Sequence, residues 1–381
     1  MYLPDDLIFE ILSWLPPETL IRLRIVCKLW YSTIGDSKFI SKHQSNFRRS
    51  KNNIGRIVIP GRESIRFGFI NIHEALASPD EHNLSAIFGN WDAFEGEEEV
   101  LRWDIHGFCN GVFCCSKSGV SDHNRRLFVC NPCIRRWISF PDTYNSPDYY
   151  VHYGVGYDSE INDHKIVKII GHGRSAQVFS LKLNSWREIE PPARTAMIYG
   201  ESIYMSGFIH WLCEPYSSRR YVILLFDVVK EVFGEMELAI ESDLCSSNVG
   251  ARIADADGLL SVMTLKTIPD LVCEVWTMNE YGGVWIHRLR QQPPCHKMLV
   301  SIVITIGCKI FMCLSNFIPL VFIDGELRYL KRNDLIGTLI VLDLETPDHI
   351  YTWGRRLPNS GALAYPIEPT LQLLDCVATD G

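Results

Sequence analysis

The chain is 381 residues long, with 47% apolar, 22% charged and 11% aromatic residues and a formal net charge of −8. It is long enough for a short module plus one large domain and too apolar to be a disordered chain. Its acidity excludes a broad phosphate-neutralising surface, so no nucleic-acid partner is expected.

Leu3-Pro4-Asp5-Asp6 opens the first predicted helix, with Leu7, Ile8, Ile11, Leu12 and Leu15 on one face. Pro4 suits a first turn, and Asp5 and Asp6 complement the positive end of the helix dipole. Pro16-Pro17 ends that helix and starts a second, which presents Leu20, Leu23, Val26 and Cys27. Trp30 and Ile34 follow on a third short helix, and Phe39, Ile40 and Phe47 on a fourth piece. Residues 1–50 hold seven basic and five acidic groups, a net of +2, which leaves −10 for the remainder of a chain at −8. Helices this short cannot bury all their apolar side chains on one another, and each one left exposed forgoes roughly 1.5–3 kcal/mol. Either a partner protein covers the spare face, or the helices lie as a cap on the chain's own second domain.

The spacing L-P-x-x-L-x-x-E-I-L-x-x-L-P-x-x-x-L-x-x-x-x-x-V-C-K-x-W, from Leu3 to Trp30, resembles the F-box motif without a gap. The resemblance implies a three-helix module that binds a Skp-type adaptor and, through it, a cullin and a RING protein. Carried over by position, the adaptor-contacting set is Leu3, Pro4, Leu7, Ile8, Ile11, Leu15, Pro16, Leu20, Val26, Cys27 and Trp30. Some of these must form the module's own core instead.

After residue 50 the pattern turns strand-like, with apolar runs punctuated by Gly, Pro and Asp. A Gly near the start of an apolar strand recurs at Gly111, Gly156, Gly207, Gly258 and Gly307, spaced 45, 51, 51 and 49 residues apart. An aromatic recurs at Phe128, Phe179, Phe226 and Trp276, and a second at Trp137, Trp186, Phe233 and Trp285. Asn184-Ser185, Lys230-Glu231 and Tyr281-Gly282-Gly283 supply turns between the two aromatic marks. A repeat of about fifty residues with about four strands is the size of a propeller blade. A further unit, Gly307 to Trp353, is stretched by a hairpin over Val321–Tyr329 with Asp324-Gly325 at its turn, and residues 54–105 are expected to hold a degenerate first blade. Six blades are expected; five or seven also fit the spacing, and a β-sandwich stack is the structural alternative.

Gly107-Phe-Cys-Asn-Gly111, Asn131-Pro132-x-x-Arg135-x-Trp137, Val155-Gly156-Tyr157-Asp158 and Asn184-Ser-Trp186-Arg187 resemble the F-box-associated domain of plant F-box/kelch proteins. Gly-Gly, usual in kelch repeats, occurs once, at Gly282-Gly283.

Cys114, Cys115, Cys130 and Cys133, with Cys109 and His106 nearby, invite a zinc reading. Cys114 and Cys115 are adjacent on a predicted strand, however, so their side chains point to opposite faces and cannot share an ion. Packed thiols are expected, with no metal and no cofactor. The sequence contains no phosphate loop, nucleophile elbow or H-E-x-x-H pair, so no catalytic residue is expected. Glu95-Gly-Glu97-Glu98-Glu99 reads as a solvated loop, and Arg125-Arg126 and Arg135-Arg136 as ordinary surface. The odd number of cysteines, thirteen, and the lack of a signal segment or membrane span point to a reducing, intracellular setting in cytoplasm or nucleus.

The expected class is α+β and multidomain: an F-box at 1–47, a linker at 48–54 and a mostly β, kelch-like propeller domain at 55–381. The function implied is a substrate receptor of a Skp–cullin–F-box ubiquitin ligase, non-catalytic itself, holding a protein target of unknown identity. Two other readings fit the same sequence: a protein-binding propeller independent of any ligase, and a kelch-type propeller enzyme.

Overall fold

The computed structural model describes residues 4–49, 54–60, 65–71, 88–90, 102–118, 126–142, 150–193, 196–216, 221–238, 249–256, 258–266, 272–291, 300–306, 309–314, 320–323, 326–329, 339–343, 350–353, 365–367 and 371. Four helices come first: α1 (Asp5–Leu12), α2 (Pro17–Leu23), α3 (Lys28–Gly35) and α4 (Ser37–Arg49). The expected fourth piece is thus the longest helix. α1 stops at Leu12 because Ser13 turns its hydroxyl back onto the Glu10 carbonyl at 2.8 Å, which leaves Leu15 in the turn before Pro16. α2 likewise ends at Leu23, so Val26 and Cys27 lie in the connection to α3. Cys27 caps α3 by accepting from the Trp30 amide, and Asp36 caps α4 through the amides of Lys38 and Phe39. α4 reaches Arg49 and the first strand opens at Ile54, so both extend into the expected linker.

Six four-stranded groups follow among the described residues. The first blade is β1 (Ile54–Pro60), β2 (Ile65–Asn71) and β3 (Phe88–Asn90), completed by the last strand of the chain, β26 (Tyr365–Ile367). The second is β4 (Arg102–Cys109), β5 (Val112–Ser118), β6 (Arg126–Asn131) and β7 (Arg136–Pro141). The third is β8 (Val151–Asp158), β9 (Asp163–Ile170), β10 (Ser175–Ser180) and β11 (Ser185–Ile189). The fourth is β12 (Ala196–Met205), β13 (Phe208–Pro215), β14 (Val222–Asp227) and β15 (Val232–Glu237). The fifth is β16 (Val249–Ala256), β17 (Leu259–Lys266), β18 (Val272–Met278) and β19 (Trp285–Gln291). The sixth is β20 (Val300–Ile306), β21 (Lys309–Leu314), β24 (Leu339–Asp343) and β25 (Ile350–Trp353). Between β21 and β24 it carries the expected hairpin, β22 (Leu320–Ile323) and β23 (Glu326–Tyr329). The degenerate first unit ends sooner than expected, since residues 102–105 already belong to β4.

β26 pairs antiparallel with β1, placing Arg56 opposite Ile367 and Val58 opposite Tyr365. The end of the chain therefore completes its first blade, and the ring closes: the first strands run in contact as β4, β8, β12, β16, β20 and β26, and β1 touches β4. A linear sandwich stack would not bring β26 to β1. β4 and β12 also pair directly in parallel at Gly107 and Ser202, although β8 lies between them in ring order. Gly107 is required there, because a Cβ would overlap the Ser202 hydroxyl.

In a meander of four strands, the 1–2 and 3–4 turns emerge on one face of the ring and the 2–3 and blade-to-blade connections on the other. Three observations put the helical module on the 1–2/3–4 face. Ile134, in the β6–β7 turn, joins the module's core, as does Leu371, which follows the end of first strand β26. The chain also enters second strand β1 from that side.

The aromatic marks fall on the third and fourth strands and meet there. Ring centroids are 5.9 Å apart for Phe128 and Trp137, 5.2 Å for Phe179 and Trp186, and 4.9 Å for Phe226 and Phe233. In the fifth blade Trp276 meets His287 instead, at 4.6 Å. Gly111, Gly207 and Gly258 lie in the turns from first to second strand with φ of 76°, 86° and 79°. Gly156 does not share that position. It sits within β8, where a Cβ would overlap Val228, and Asn162 (φ 55°) takes the turn of the third blade. Buried ions then fasten neighbouring blades. Lys168 of the third blade pairs with Asp142 at the end of the second, while Lys165 reaches Asp158 at 2.6 Å and Glu231 of the fourth at 2.8 Å.

Candidate docking surface

The helical module builds one small core and leaves a second apolar surface uncovered. Leu12, Leu20, Ile34 and Phe39 are buried together with Ile134 and Leu371. Phe9 meets Phe39 edge-on at 5.2 Å. α4 is tied to the end of α1 by His43 Nε2 at 2.9 Å from the Leu15 carbonyl oxygen and by Asn46 Nδ2 donating to Ser13 Oγ at 2.7 Å. Lys42 and Glu10 add a pair at 3.1 Å on the outside. These contacts fix α1 against α4, so the outward faces of α1 and α3 are held in place rather than free to collapse.

Of the eleven residues expected to contact an adaptor, Leu7 (50% exposed), Ile11 (54%) and Val26 (58%) are open to solvent. Pro4, Pro16 and Cys27 are also exposed, and Ile8, Leu15 and Trp30 are half-buried against the core. Leu20 is the correction. It is fully buried in the module's own centre and has no surface to offer, because α2 turns it toward Ile34 and Phe39. Cys27 has the capping role already described. Leu3 lies outside the described residues.

The sequence reading missed Trp14, Ile25, Leu29 and Tyr31, all large apolar or aromatic side chains left exposed beside that set. Arg24 lies over the Tyr31 ring at 4.0 Å. Their signal was weak because Trp14 and Ile25 fall in turns, where helical periodicity carries no information. Several large apolar side chains exposed on one small module are the kind of surface that contact sites use.

The opposite face of the propeller carries a second grouping. Tyr150 and Tyr216 are exposed and flank His172, with ring centroids 4.8 and 5.7 Å away. Gly171, His172 and Gly173 form a tight turn, with φ of 60°, 61° and 94°. Amide donation from Gly171 to the Tyr150 carbonyl (2.9 Å) and from Ala196 to the His172 carbonyl (3.0 Å) pins it to both neighbouring connections. Burial, then the proximity of His172, lowers the pKa of His152 to about 4, so that it is neutral near pH 7.

The cysteines behave as packed thiols. Cys114 enters the core with Val155 and Ile166, while Cys115 faces the other way, its sulfur 3.9 Å from that of Cys130. Burial pushes the Cys114 and Cys115 thiols well above their usual range. Arg135, next to Ile134 in the β6–β7 turn, is exposed on the module's side of the ring, and Arg126 donates to Ser139 Oγ at 2.7 Å. Arg125 and the Glu95–Glu99 run lie outside the described residues. Among those described, no helix is long and apolar enough to cross a membrane, and no three His, Cys, Asp or Glu side chains form a metal-holding group.

Comparison with known proteins matches residues 2–42 to the F-box domain and residues 80–335 to the F-box associated beta propeller domain. An Arabidopsis thaliana F-box protein is 27% identical over 345 residues, covering 85% of this chain and 90% of the relative. An F-box/kelch-repeat protein of the same plant is 24% identical over 303 residues, with 74% and 77% covered. A second F-box/kelch-repeat relative is 27% identical over 258 residues, or 65% of this chain, and the match spans about three fifths (62%) of that relative's length. Among solved structures, the SapL1 lectin overlaps at a TM-score of 0.41 with 12% identity, covering 81% of this chain and 99% of that one, too loose a likeness to bear on function.

Proposed function

Because the chain belongs to the F-box-associated β-propeller family and carries an F-box domain ahead of the propeller, we propose that it is the substrate-recognition subunit of a Skp–cullin–F-box ubiquitin ligase. The observation that carries this reading is the apolar surface of Leu7, Ile11, Trp14, Val26 and Leu29, exposed on a module whose own core is already filled. A Skp-type adaptor covers that surface and links the chain to a cullin and a RING protein. In this reading residues 1–47 dock, 48–54 connect and 55–381 hold a target protein.

The chain supplies proximity. Holding a target beside a charged ubiquitin-conjugating enzyme turns a bimolecular transfer into an effectively unimolecular one. The target sits on the 2–3/blade-to-blade face, around Tyr150, His172 and Tyr216, because the module occupies part of the other. Tyrosine suits such a role, combining large contact area with few rotatable bonds.

The test is capture of a purified Skp-type adaptor by the full chain and by its Leu7→Ala, Val26→Ala variant. Both side chains are about half exposed, so covering them contributes about 1 kcal/mol each. Their joint loss is expected to weaken capture at least tenfold while leaving the melting temperature unchanged. Capture equal to the parent's would remove this surface from the adaptor contact.

A further inference from the structure

We infer that Leu371, four residues past β26, acts as a strap that seats the F-box module on the propeller and holds the two as one body. The inference adds to the receptor reading and does not depend on which target is bound. It starts from two facts that lie close together in the chain. Tyr365–Ile367 pair with β1 and complete the first blade. Four residues beyond Ile367, Leu371 is fully buried among Leu12, Leu20, Ile34 and Phe39 of the module. The strand that closes the ring and the leucine that seats the module thus lie four residues apart in the chain.

The second contact comes from another blade. Ile134, in the β6–β7 turn, belongs to the same cluster, held by a turn in which Arg135 adopts φ 52° and its amide donates to the Pro132 carbonyl at 3.3 Å. Asn131 Oδ1 also accepts from the Cys133 amide at 3.0 Å, so the turn is braced at both ends. The module's core is therefore made of three separate parts of the chain: its own helices, a turn of the second blade and the tail. A module joined to the propeller by its chain connection alone could swing. A module whose central leucine and phenylalanine pack on Ile134 and Leu371 cannot move without opening its own core.

The consequence is a fixed angle between the exposed α1/α3 surface and the loop face carrying Tyr150 and Tyr216. Both sides of the cluster also gain from each other: drawing Leu371 out of the cluster exposes both Leu371 and the module side chains packed with it.

Hydrogen exchange on the full chain tests this, comparing the parent with Leu371→Asp, Leu371→Ala, Ile134→Asp and, as a control on the same face of the ring, Leu183→Asp. Amides of α2 to α4 are expected to exchange at least tenfold faster in both Asp variants of the cluster and several-fold faster in Leu371→Ala. Amides of β8 to β15 should keep the parent's rate in every variant, as should the module's amides in Leu183→Asp. The strap is overturned if α2 to α4 keep the parent's rate in Leu371→Ala and Leu371→Asp. It is equally overturned if β8 to β15 lose protection in step with the module, because the tail would then act on the propeller as a whole. Adaptor capture is measured on the same samples: a parent chain that captures none while showing these exchange changes would contradict the ligase reading and leave the strap standing.

Discussion

Lys168 has no exposure to water, and two neighbours account for its position: the Asp142 carboxylate pairs with its ammonium, and the Trp186 ring lies 5.3 Å away. Asp142 also accepts from the Tyr153 hydroxyl, so the second and third blades share one buried charge site. Lys168→Met leaves that carboxylate buried without its cation, which costs about 3–5 kcal/mol. The urea midpoint is expected to fall accordingly, and Lys168→Met combined with Asp142→Leu should recover much of the loss; a single variant as stable as the parent would contradict the buried pair. Histidines set the pH dependence. Burial lowers the pKa of both His164 and His210 from 6.5 to about 4. Each is neutral when folded and takes up its proton more readily unfolded, so its contribution is complete above pH 6.5 and lost as pH falls toward 4. That contribution is about 3 kcal/mol each at most. Melting temperature should drop between pH 7 and 4.5, and less steeply in His164→Phe. Burial opposes ionisation of Asp158, but Lys165 and the amides of Ile161 and Glu160 outweigh it and lower its pKa from 3.8, so its own loss falls below this window.

At the scale of elements, β8 shows how two flat-looking strands lock. Gly154 and Gly156 leave a groove on its face, and Ile209 and Trp211 of β13 fill it, with the Trp211 indole N–H donating to the Tyr153 carbonyl at 3.1 Å. A Cβ at Gly154 would overlap both the Trp211 ring and Ile209, so Gly154→Ala is expected to destabilise the chain by about 1–3 kcal/mol. Calorimetry showing an unchanged melting temperature would refute the close packing. The same strand marks the limit of what was legible beforehand. Gly156 falls near the fifty-residue period and so reads as a glycine leading a strand, whereas it lies within β8 and the turn belongs to Asn162, whose side chain tolerates φ 55°. The aromatic pairs and the Val321–Tyr329 hairpin were readable because their partners are close in sequence. Ring closure by β26, the β4–β12 pairing and the Ile134–Leu371 seat were not, because each joins residues roughly a hundred or more positions apart and leaves no local periodicity. Within the module the apolar spacing named the right helices. It could not tell Leu20, turned inward by α2, from Leu7, turned outward by α1.

Taken as a whole, the molecule places its two exposed groupings on opposite faces. The module rests on the 1–2/3–4 side of a closed ring, its free apolar surface turned to solvent, and the tyrosine-flanked turn at His172 opens on the other side. In the proposed reading, this arrangement would let an adaptor and a target bind without competing for the same surface. The module's core uses Leu12, Leu20, Ile34 and Phe39 against Ile134 and Leu371, and α1 and α3 keep other apolar side chains exposed, which the proposed reading assigns to docking. Isothermal titration of the full chain with a purified Skp-type adaptor, repeated at several temperatures, tests this most directly. The account predicts one adaptor per chain, submicromolar affinity and a clearly negative heat-capacity change, the sign of apolar surface leaving water. A titration with no binding at any temperature, or one whose heat capacity does not change, would contradict it.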